Sequence, residues 1–158
     1  MVRAYAKAWQ LDPKKIGIMG FSAGGHLAIA TATSFGQRTY VPLDDVDKVS
    51  CRPDFAIPVY SGYLKAKDRD ALAPGLRIAT NTPPVFLVHG GEDIISPPEH
   101  SVVAYLALKR AGVSAELHVY ARTAHDFGVR TNGRPHSQWT ARCADWLRDG
   151  GFLPAGPR

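Results

Sequence analysis

Three side chains in this sequence have the chemistry and the chain order of a serine nucleophile with an acid and a base. Ser22 lies in the run Gly-Phe-Ser-Ala-Gly at residues 20–24, and Asp93 and His125 follow it in that order. A serine hydroxyl needs a base to take its proton, and histidine suits this task because its pKa lies near neutral pH. The histidine needs a carboxylate to fix its tautomer and to stabilise its cation. The three residues therefore predict a nucleophile, an acid and a base.

The residues around Ser22 have the pattern of a sharp turn between a strand and a helix. An apolar run at 15–19 precedes the turn, and small residues follow it. G-x-S-x-G in this setting is typical of a nucleophile elbow. We expect Gly20 and Gly24 to be required, because so tight a turn excludes side chains two residues before and after the serine. The turn also aims the N–H of Ala23 and the positive end of the helix at the site, so Ala23 is the expected oxyanion donor.

Other residues compete for the acid and base roles. Glu92 and Asp126 are the alternatives to Asp93, and Glu92 is the fallback. His125 is the favoured base because it lies in a loop after the last predicted strand. His118 lies inside a predicted strand, His100 in a predicted helix and His136 at a helix start. His26 is too near the elbow to reach back over Ser22, and His89 ends a strand beside the cleft.

The elements that must position these residues alternate between strand and helix. Apolar runs predict four strands, at 15–20, 54–60, 84–89 and 115–120, and periodic patterns predict helices at 2–11, 23–34, 96–111 and 137–148. Ser96 and Glu99 form a predicted capping box at the start of the third helix, and a helical turn is expected near 69–72. The alternation predicts an α/β, three-layer fold with a mostly parallel sheet. Ligands of such sheets bind at the carboxyl ends of the strands, so the three chemical residues should share one cleft.

Size and composition exclude several classes of function. The chain has 158 residues and a formal charge of +5, which fits one domain over 1–158 with scattered basic residues and no nucleic-acid partner. Cys51 and Cys143 have no C-x-x-C spacing and are expected to be free, mostly buried thiols. The sequence has no metal-ligand pattern, no dinucleotide motif at a strand-to-helix turn and no apolar run of transmembrane length. We expect no metal and no cofactor, and a cytoplasmic location by default because no signal peptide is visible.

At these residues the chain resembles the α/β-hydrolase superfamily. It is most similar to the acetyl esterase branch, with acetyl xylan esterase-like enzymes, hormone-sensitive-lipase-like carboxylesterases and prolyl-oligopeptidase-type relatives. The matching stretches cover nearly the whole chain in order; they are 12–28, 52–57, 82–89, 115–120 and 124–125. The resemblance places Ser22, Asp93 and His125 at the nucleophile, acid and base positions. It implies hydrolysis of short acyl esters through an acyl-enzyme, with acetylated carbohydrates such as xylan as candidate substrates.

The chain departs from the family pattern before the elbow. The usual fold has about four strands there, with an H-G-G-G-type loop that supplies a second oxyanion donor; here one predicted helix precedes the elbow strand. The chain therefore matches the C-terminal two-thirds of the usual fold, with about four strands, and Ala23 is the family-type donor that it retains. The elbow strand becomes a sheet edge, and an apolar edge invites pairing. We expect a homodimer or higher oligomer that covers this edge.

Three hypotheses about function follow. The first is a small serine carboxylesterase that acts on short-chain acyl esters. The second is a peptidase or lactone hydrolase with the same three residues. The third is a non-catalytic fragment that serves as a binding or assembly module.

Overall fold

The computed structural model describes residues 1–36 and 38–156 of the chain; the predicted domain over 1–158 also includes residues 37, 157 and 158, which lie outside the described residues. The described residues contain four strands and four helices, with two helices between the first and second strands and none between the second and third. The strands are β1 (Gly17–Phe21), β2 (Phe55–Val59), β3 (Val85–Gly90) and β4 (Ala115–Tyr120). The helices are α1 (Ala23–Ser34), α2 (Asp45–Lys48), α3 (Glu99–Arg110) and α4 (Trp139–Asp149), and a 3-10 turn at Pro135–Gln138 leads into α4.

The sheet is parallel throughout and has the order β1-β2-β3-β4. All carboxyl ends of the strands therefore lie at one edge of the sheet, where the loops after β1, β3 and β4 meet. Strand β1 is an outer strand, as expected from the short chain before the elbow. Pro58 lies inside β2, and the ladder between β2 and β3 registers at Ala56 with Val85 and at Val59 with Val88. Proline has no N–H for the ladder, and its position next to the last residue of β2 limits that loss.

Two helical layers cover the two faces of the sheet. Alternate residues of β3 point to opposite sides: Val85 and Leu87 pack on the face covered by α1 and α3, and Phe86 and Val88 on the face covered by α4. Every residue of β3 is buried. This explains the continuous apolar runs, because a parallel strand that is covered on both faces does not alternate with polar residues. The predicted three-layer α/β fold is confirmed.

The predicted helix at 2–11 is wrong. The segment forms hydrogen-bonded turns with mixed spacing, such as Trp9 N–H to the Tyr5 carbonyl and Leu11 N–H to the Ala6 carbonyl. Of the expected apolar face, only Ala6 is buried, whereas Tyr5 and Trp9 stack on each other and are about half exposed. A short amphipathic segment depends on packing for its helicity, and most of this face has no partner in the described residues.

Two further local predictions are wrong. Residues 69–72 form no helical turn, because the chain folds back through an isolated bridge between Lys65 and Leu72. Helix α3 begins at Glu99 rather than at Ser96, and no side chain caps it. The carboxylate of Asp93 accepts the Ser96 N–H at 2.8 Å, so Ser96 belongs to the acid loop instead of capping the helix.

The two cysteines are free, but only one of them is buried as expected. Cys143 packs under the sheet with α4, and burial raises its thiol pKa to about 11. Cys51 is exposed because it lies in the irregular segment that leads into β2. Within the described part of the chain, no helix is long and apolar enough to cross a membrane.

Candidate active site

The turn between β1 and α1 holds Ser22 in a strained backbone conformation. Its φ of 53° and ψ of −119° lie in a region that residues with a side chain rarely adopt. The Ser22 N–H donates to the Val59 carbonyl at 2.9 Å, which ties the turn to β2. Strain of this kind costs about 1–3 kcal/mol and tends to be kept where the geometry has a use. The sharp strand-to-helix turn predicted from the G-x-S-x-G pattern is therefore present.

The glycines around this turn are not equally constrained. A Cβ on Gly20 would collide with the backbone carbonyl of Gly24, and a Cβ on Gly25 would collide with the Ser61 side chain. A Cβ on Gly24 would meet no atom within 4 Å. The expectation that Gly24 must lack a side chain is therefore wrong for the described residues, because a side chain there would extend into open space. Gly25 has that constraint instead, since it lies where α1 passes over the end of β2.

The loop after β3 presents Asp93 to the same edge of the sheet. One carboxylate oxygen, Oδ1, accepts the N–H groups of Ile95 at 3.0 Å and Ser96 at 2.8 Å. The other, Oδ2, lies 2.6 Å from Nδ1 of His125. Burial acts to raise the pKa of Asp93, but the Ser96 N–H and the His125 ring outweigh it, so the pKa lies below its ordinary value. Asp93 is therefore an ionised carboxylate at neutral pH.

The loop after β4 brings His125 between Asp93 and Ser22. Since an ionised carboxylate only accepts, Nδ1 of His125 carries the proton that faces Asp93. In the neutral ring Nε2 is then an acceptor, and it lies 3.0 Å from the Ser22 hydroxyl oxygen. The structure thus brings the three predicted residues into one hydrogen-bonded row. The alternative acids, Glu92 and Asp126, are exposed.

Close backbone packing holds the two loops together. The Glu92 N–H donates to the Thr123 carbonyl at 3.0 Å, and the Gly91 N–H to the Tyr120 carbonyl at 2.8 Å. A Cβ on Gly90 would collide with the Thr123 carbonyl, so this approach requires glycine there. Gly91 is also constrained, because a Cβ there would collide with the Ala121 carbonyl.

Aromatic packing supports the base, and little in the sequence indicates it. The ring of Tyr60 lies against His125 and against Phe127, with centroids 4.8 Å and 4.7 Å away. Trp139 Nε1 donates to the Gly128 carbonyl at 2.8 Å and anchors the end of the loop. Tyr60 directly follows β2, and that position at the carboxyl end of a strand is the signal that could have identified it.

The other histidines lie away from the Ser22 hydroxyl. The ring of His26 lies edge-on to Tyr63, His100 Nδ1 accepts the Lys65 N–H, and His118 contacts Glu116. His136 bonds Thr123 and Asn132. His89 is buried beside the Asp93 loop, within the expected cleft region.

The N–H of Ala23 opens α1 directly after Ser22. The first N–H groups of a helix have no acceptor within the helix, so this group is available at the elbow. The described residues contain no group of three or more His, Cys, Asp or Glu side chains placed to hold a metal ion.

A cavity of about 1100 Å³ has walls that include none of Ser22, Asp93 and His125. Its walls come from the segment after β2 and from the start of α3, and they include Tyr63, Lys65, Pro97 and His100. Both wall segments follow carboxyl ends of strands, so the cavity opens on the same side of the sheet as Ser22.

The fold and the arrangement of the loops define the α/β-hydrolase class. A solved structure of an acetyl ester-xyloside bifunctional hydrolase from Caldicellulosiruptor lactoaceticus superimposes with a TM-score of 0.85 and 32% identity, over 96% of this chain and 62% of that one. A propionate-bound thermophilic esterase from Thermogutta terrifontis gives a TM-score of 0.80 and 29% identity, over 99% and 63%.

Within that class the chain belongs to the prolyl oligopeptidase family, whose profile matches residues 1–150. A curated relative, an acetylxylan esterase from Xylanibacter ruminicola, is 29% identical over 166 residues that cover 94% of this chain and 33% of the relative. The chain therefore spans about a third of that relative and 62–63% of the two solved structures.

Proposed function

We propose that the chain carries the catalytic residues of a serine carboxylesterase that hydrolyses short-chain, acetyl-type esters. The observation that carries the proposal is the row of contacts from Asp93 through His125 to Ser22, at 2.6 Å and 3.0 Å. The row lies at a strained strand-to-helix turn, next to the N–H of Ala23. The names of the relatives, an acetylxylan esterase and two ester hydrolases, support the reaction class.

Each group has a role in the proposed mechanism that its contacts support. Nε2 of His125 takes the hydroxyl proton as Ser22 Oγ attacks the ester carbonyl carbon. Asp93 stabilises the imidazolium, and the Ala23 N–H donates to the oxyanion of the tetrahedral intermediate. The intermediate collapses, the alcohol leaves with the proton from His125, and an acyl-Ser22 ester remains. His125 then takes a proton from water, whose attack releases the carboxylic acid and restores Ser22.

Hydrolysis of p-nitrophenyl acetate, together with fluorophosphonate labelling, tests the proposal. We expect turnover by the chain, with Ser22→Ala lowering kcat by at least about a thousandfold and abolishing the label. His125→Gln should lose activity similarly, because the base is then missing. A folded wild-type chain that shows neither turnover nor labelling contradicts the esterase and favours a non-catalytic binding or assembly module.

A peptidase with the same residues is the second candidate, because the family that matches residues 1–150 is the prolyl oligopeptidase family. A parallel panel of acyl esters, lactones and peptide p-nitroanilides separates these activities. Higher kcat/KM on peptides than on acetyl esters would favour the peptidase.

We further propose that the alcohol part of the ester, such as a sugar of acetylated xylan, lies toward Tyr63. This ring is 69% exposed, lines the cavity of about 1100 Å³ and lies edge-on to His26, with centroids 6.0 Å apart. His26 lies one helical turn after Ser22. The φ of 58° at Tyr63 is strained, as expected where a fixed position has a use. Apolar ring faces pack well against the C–H faces of sugars.

We also propose that a second copy of the chain covers the outer edge of β1. This strand pairs with β2 alone in the described residues, and Met19 is 48% exposed. An open, apolar strand edge favours association through its free backbone groups. Light scattering should therefore show a dimer or larger species, and Met19→Lys should weaken it. Val119→Lys, on the opposite edge strand, is the matched control; a wild-type monomer contradicts the proposal.

A further inference from the structure

A fully buried histidine contacts the loop that carries Asp93, and the mechanism above does not use it. His89 lies near the end of β3, and its side chain has no exposed surface. We propose that His89 is a positioning residue, which holds the Asp93 loop in place through the Ser96 carbonyl and sets a neutral ring beside the carboxylate. The predicted effect on kcat rests on the proposed esterase function, whereas the predicted tautomer and loop contacts of His89 do not.

The contacts of the ring assign its tautomer. Nε2 lies 2.7 Å from the Ser96 carbonyl oxygen, which can only accept, so Nε2 carries a hydrogen. The same nitrogen lies 3.4 Å from Oδ2 of Asp93, the oxygen that also faces His125. Nδ1 lies 2.7 Å from the hydroxyl of Ser101, which is also buried. In the neutral ring Nδ1 accepts, so Ser101 on α3 donates to it.

The environment keeps this ring neutral. Burial lowers the pKa of His89 and outweighs the Ser96 carbonyl and Asp93, which both act to raise it. His100, the other titratable group that acts on the ring, lowers the pKa further. A cationic ring would compete with His125 for the charge of Asp93. A neutral ring beside the carboxylate carries no charge of its own and leaves the charge of Asp93 available to the imidazolium of His125.

The ring also holds the backbone of the acid loop. The Ser96 N–H donates to Oδ1 of Asp93 at 2.8 Å, while the Ser96 carbonyl accepts from His89. The peptide groups on both sides of Ser96 are therefore bound, one by the carboxylate and the other by the ring. Loss of the ring would leave a buried carbonyl without a partner, and the loop would shift to satisfy it. Such a shift moves Oδ2 away from His125.

Substitution of His89 by glutamine and by asparagine distinguishes the contributions of its two ring nitrogens. Glutamine places its amide nitrogen near the position of Nε2, whereas asparagine reaches only the position of Nδ1. In p-nitrophenyl acetate hydrolysis, His89→Gln should keep kcat within about threefold, and His89→Asn should lower it at least about tenfold with KM little changed. The low-field proton resonance of His125 Nδ1–H, which reports its bond to Asp93, should persist in His89→Gln and broaden or vanish in His89→Asn. Equal kcat and an unchanged resonance in both folded variants overturn the proposal.

The nitrogen NMR spectrum of wild-type His89 tests the same claim without a substitution that could prevent folding. We expect a protonated Nε2 and a bare Nδ1 from pH 8 down to the onset of acid unfolding. A protonated Nδ1, or a ring that becomes cationic in the folded chain at neutral pH, overturns the proposal. If the wild-type chain neither turns over ester nor takes the fluorophosphonate label, the esterase function fails, whereas the tautomer and the resonance still decide the role of His89.

Discussion

The ring of Tyr60 lies edge-on to the imidazole of His125, with ring centroids 4.8 Å apart. Tyr60 is 3% exposed and sits at a φ of 37°, directly after β2. Its N–H donates to the Val88 carbonyl at 2.7 Å, so the ring is fixed to the centre of the sheet. The surface that sets the orientation of the imidazole therefore comes from a strand end that carries none of the three proposed catalytic groups.

Replacement of Tyr60 should affect the rate more than substrate binding. Tyr60→Leu removes the ring wall, and a small displacement of the base can cost up to about a hundredfold in rate. We expect kcat for p-nitrophenyl acetate to fall about tenfold or more with little change in KM. Tyr60→Phe keeps the wall and is the matched control, expected within about threefold of wild type. A folded Tyr60→Leu protein with wild-type kcat would show that the ring does not position His125.

The two glycines that flank the elbow should respond in opposite ways to alanine. Gly20→Ala forces a Cβ against the carbonyl of Gly24, which is backbone and cannot rotate away. The free energy of unfolding should fall by about 2 kcal/mol or more, in the range of overpacked interiors. Gly24→Ala adds a side chain in open space near the start of α1 and should leave stability unchanged or slightly higher. Urea denaturation of both variants measures the difference, and equal losses would contradict it.

The strands and the hydrogen-bonded row of Ser22, Asp93 and His125 were predictable for different reasons. The strands could be located because a parallel strand between two helical layers is a continuous apolar run, as β3 is. Ser22, Asp93 and His125 could be selected because each follows a strand end, and parallel strands bring those ends together. Both signals are local in the sequence, so they can be recognised before the tertiary packing is known.

The errors arose where tertiary contacts decide the local structure. The capping pattern at Ser96 failed because Asp93 takes the Ser96 N–H. The apolar face of residues 2–11 predicted a helix, but only Ala6 packs into the core. The contacts of Tyr60 with His125 and Phe127 join segments that are distant in sequence, so no spacing rule could reveal them.

Loss of the Tyr63 ring should weaken binding of a sugar ester and leave a small ester unaffected. An aromatic pair contributes about 0.5–1.5 kcal/mol, and a gain of that size for the ring on a sugar corresponds to a rise in KM of about two- to tenfold when the ring is lost. We expect this rise in Tyr63→Ala with acetylated xylo-oligosaccharides, while p-nitrophenyl acetate keeps its KM and kcat. Tyr63→Phe retains the ring face and is the control. A parallel change with both substrates would place the effect at Ser22 instead of at a sugar site.

Stability should fall as the pH falls from about 7.5 to 5.5, before the carboxylates titrate. Burial lowers the pKa of His89, His100 and His136 in the folded chain. These histidines take up protons near the ordinary pKa of about 6.5 in the unfolded chain, and at a lower pH in the folded chain. Their contribution to the free energy of unfolding is therefore fully present above about pH 6.5 and is lost as the pH falls below it. The lowered pKa of Asp93 acts in a separate window, below about pH 4.

His136 gives the sharpest test of this pH dependence. Its Nε2 accepts a hydrogen bond from the Asn132 amide nitrogen at 3.1 Å. Protonation of Nε2 would place its N–H against the Asn132 N–H, and the hydrogen bond would be lost. His136→Gln removes the titration, so the fall in the free energy of unfolding between pH 7.5 and 5.5 should be smaller than in wild type. Urea denaturation across this range measures both slopes. At pH 7.5 the ring is mostly neutral in the folded and in the unfolded chain. The difference in the free energy of unfolding between wild type and His136→Gln at that pH therefore measures the lost contacts alone. A wild-type slope of zero, or an unchanged slope in His136→Gln, would show that protonation of this buried ring does not limit stability.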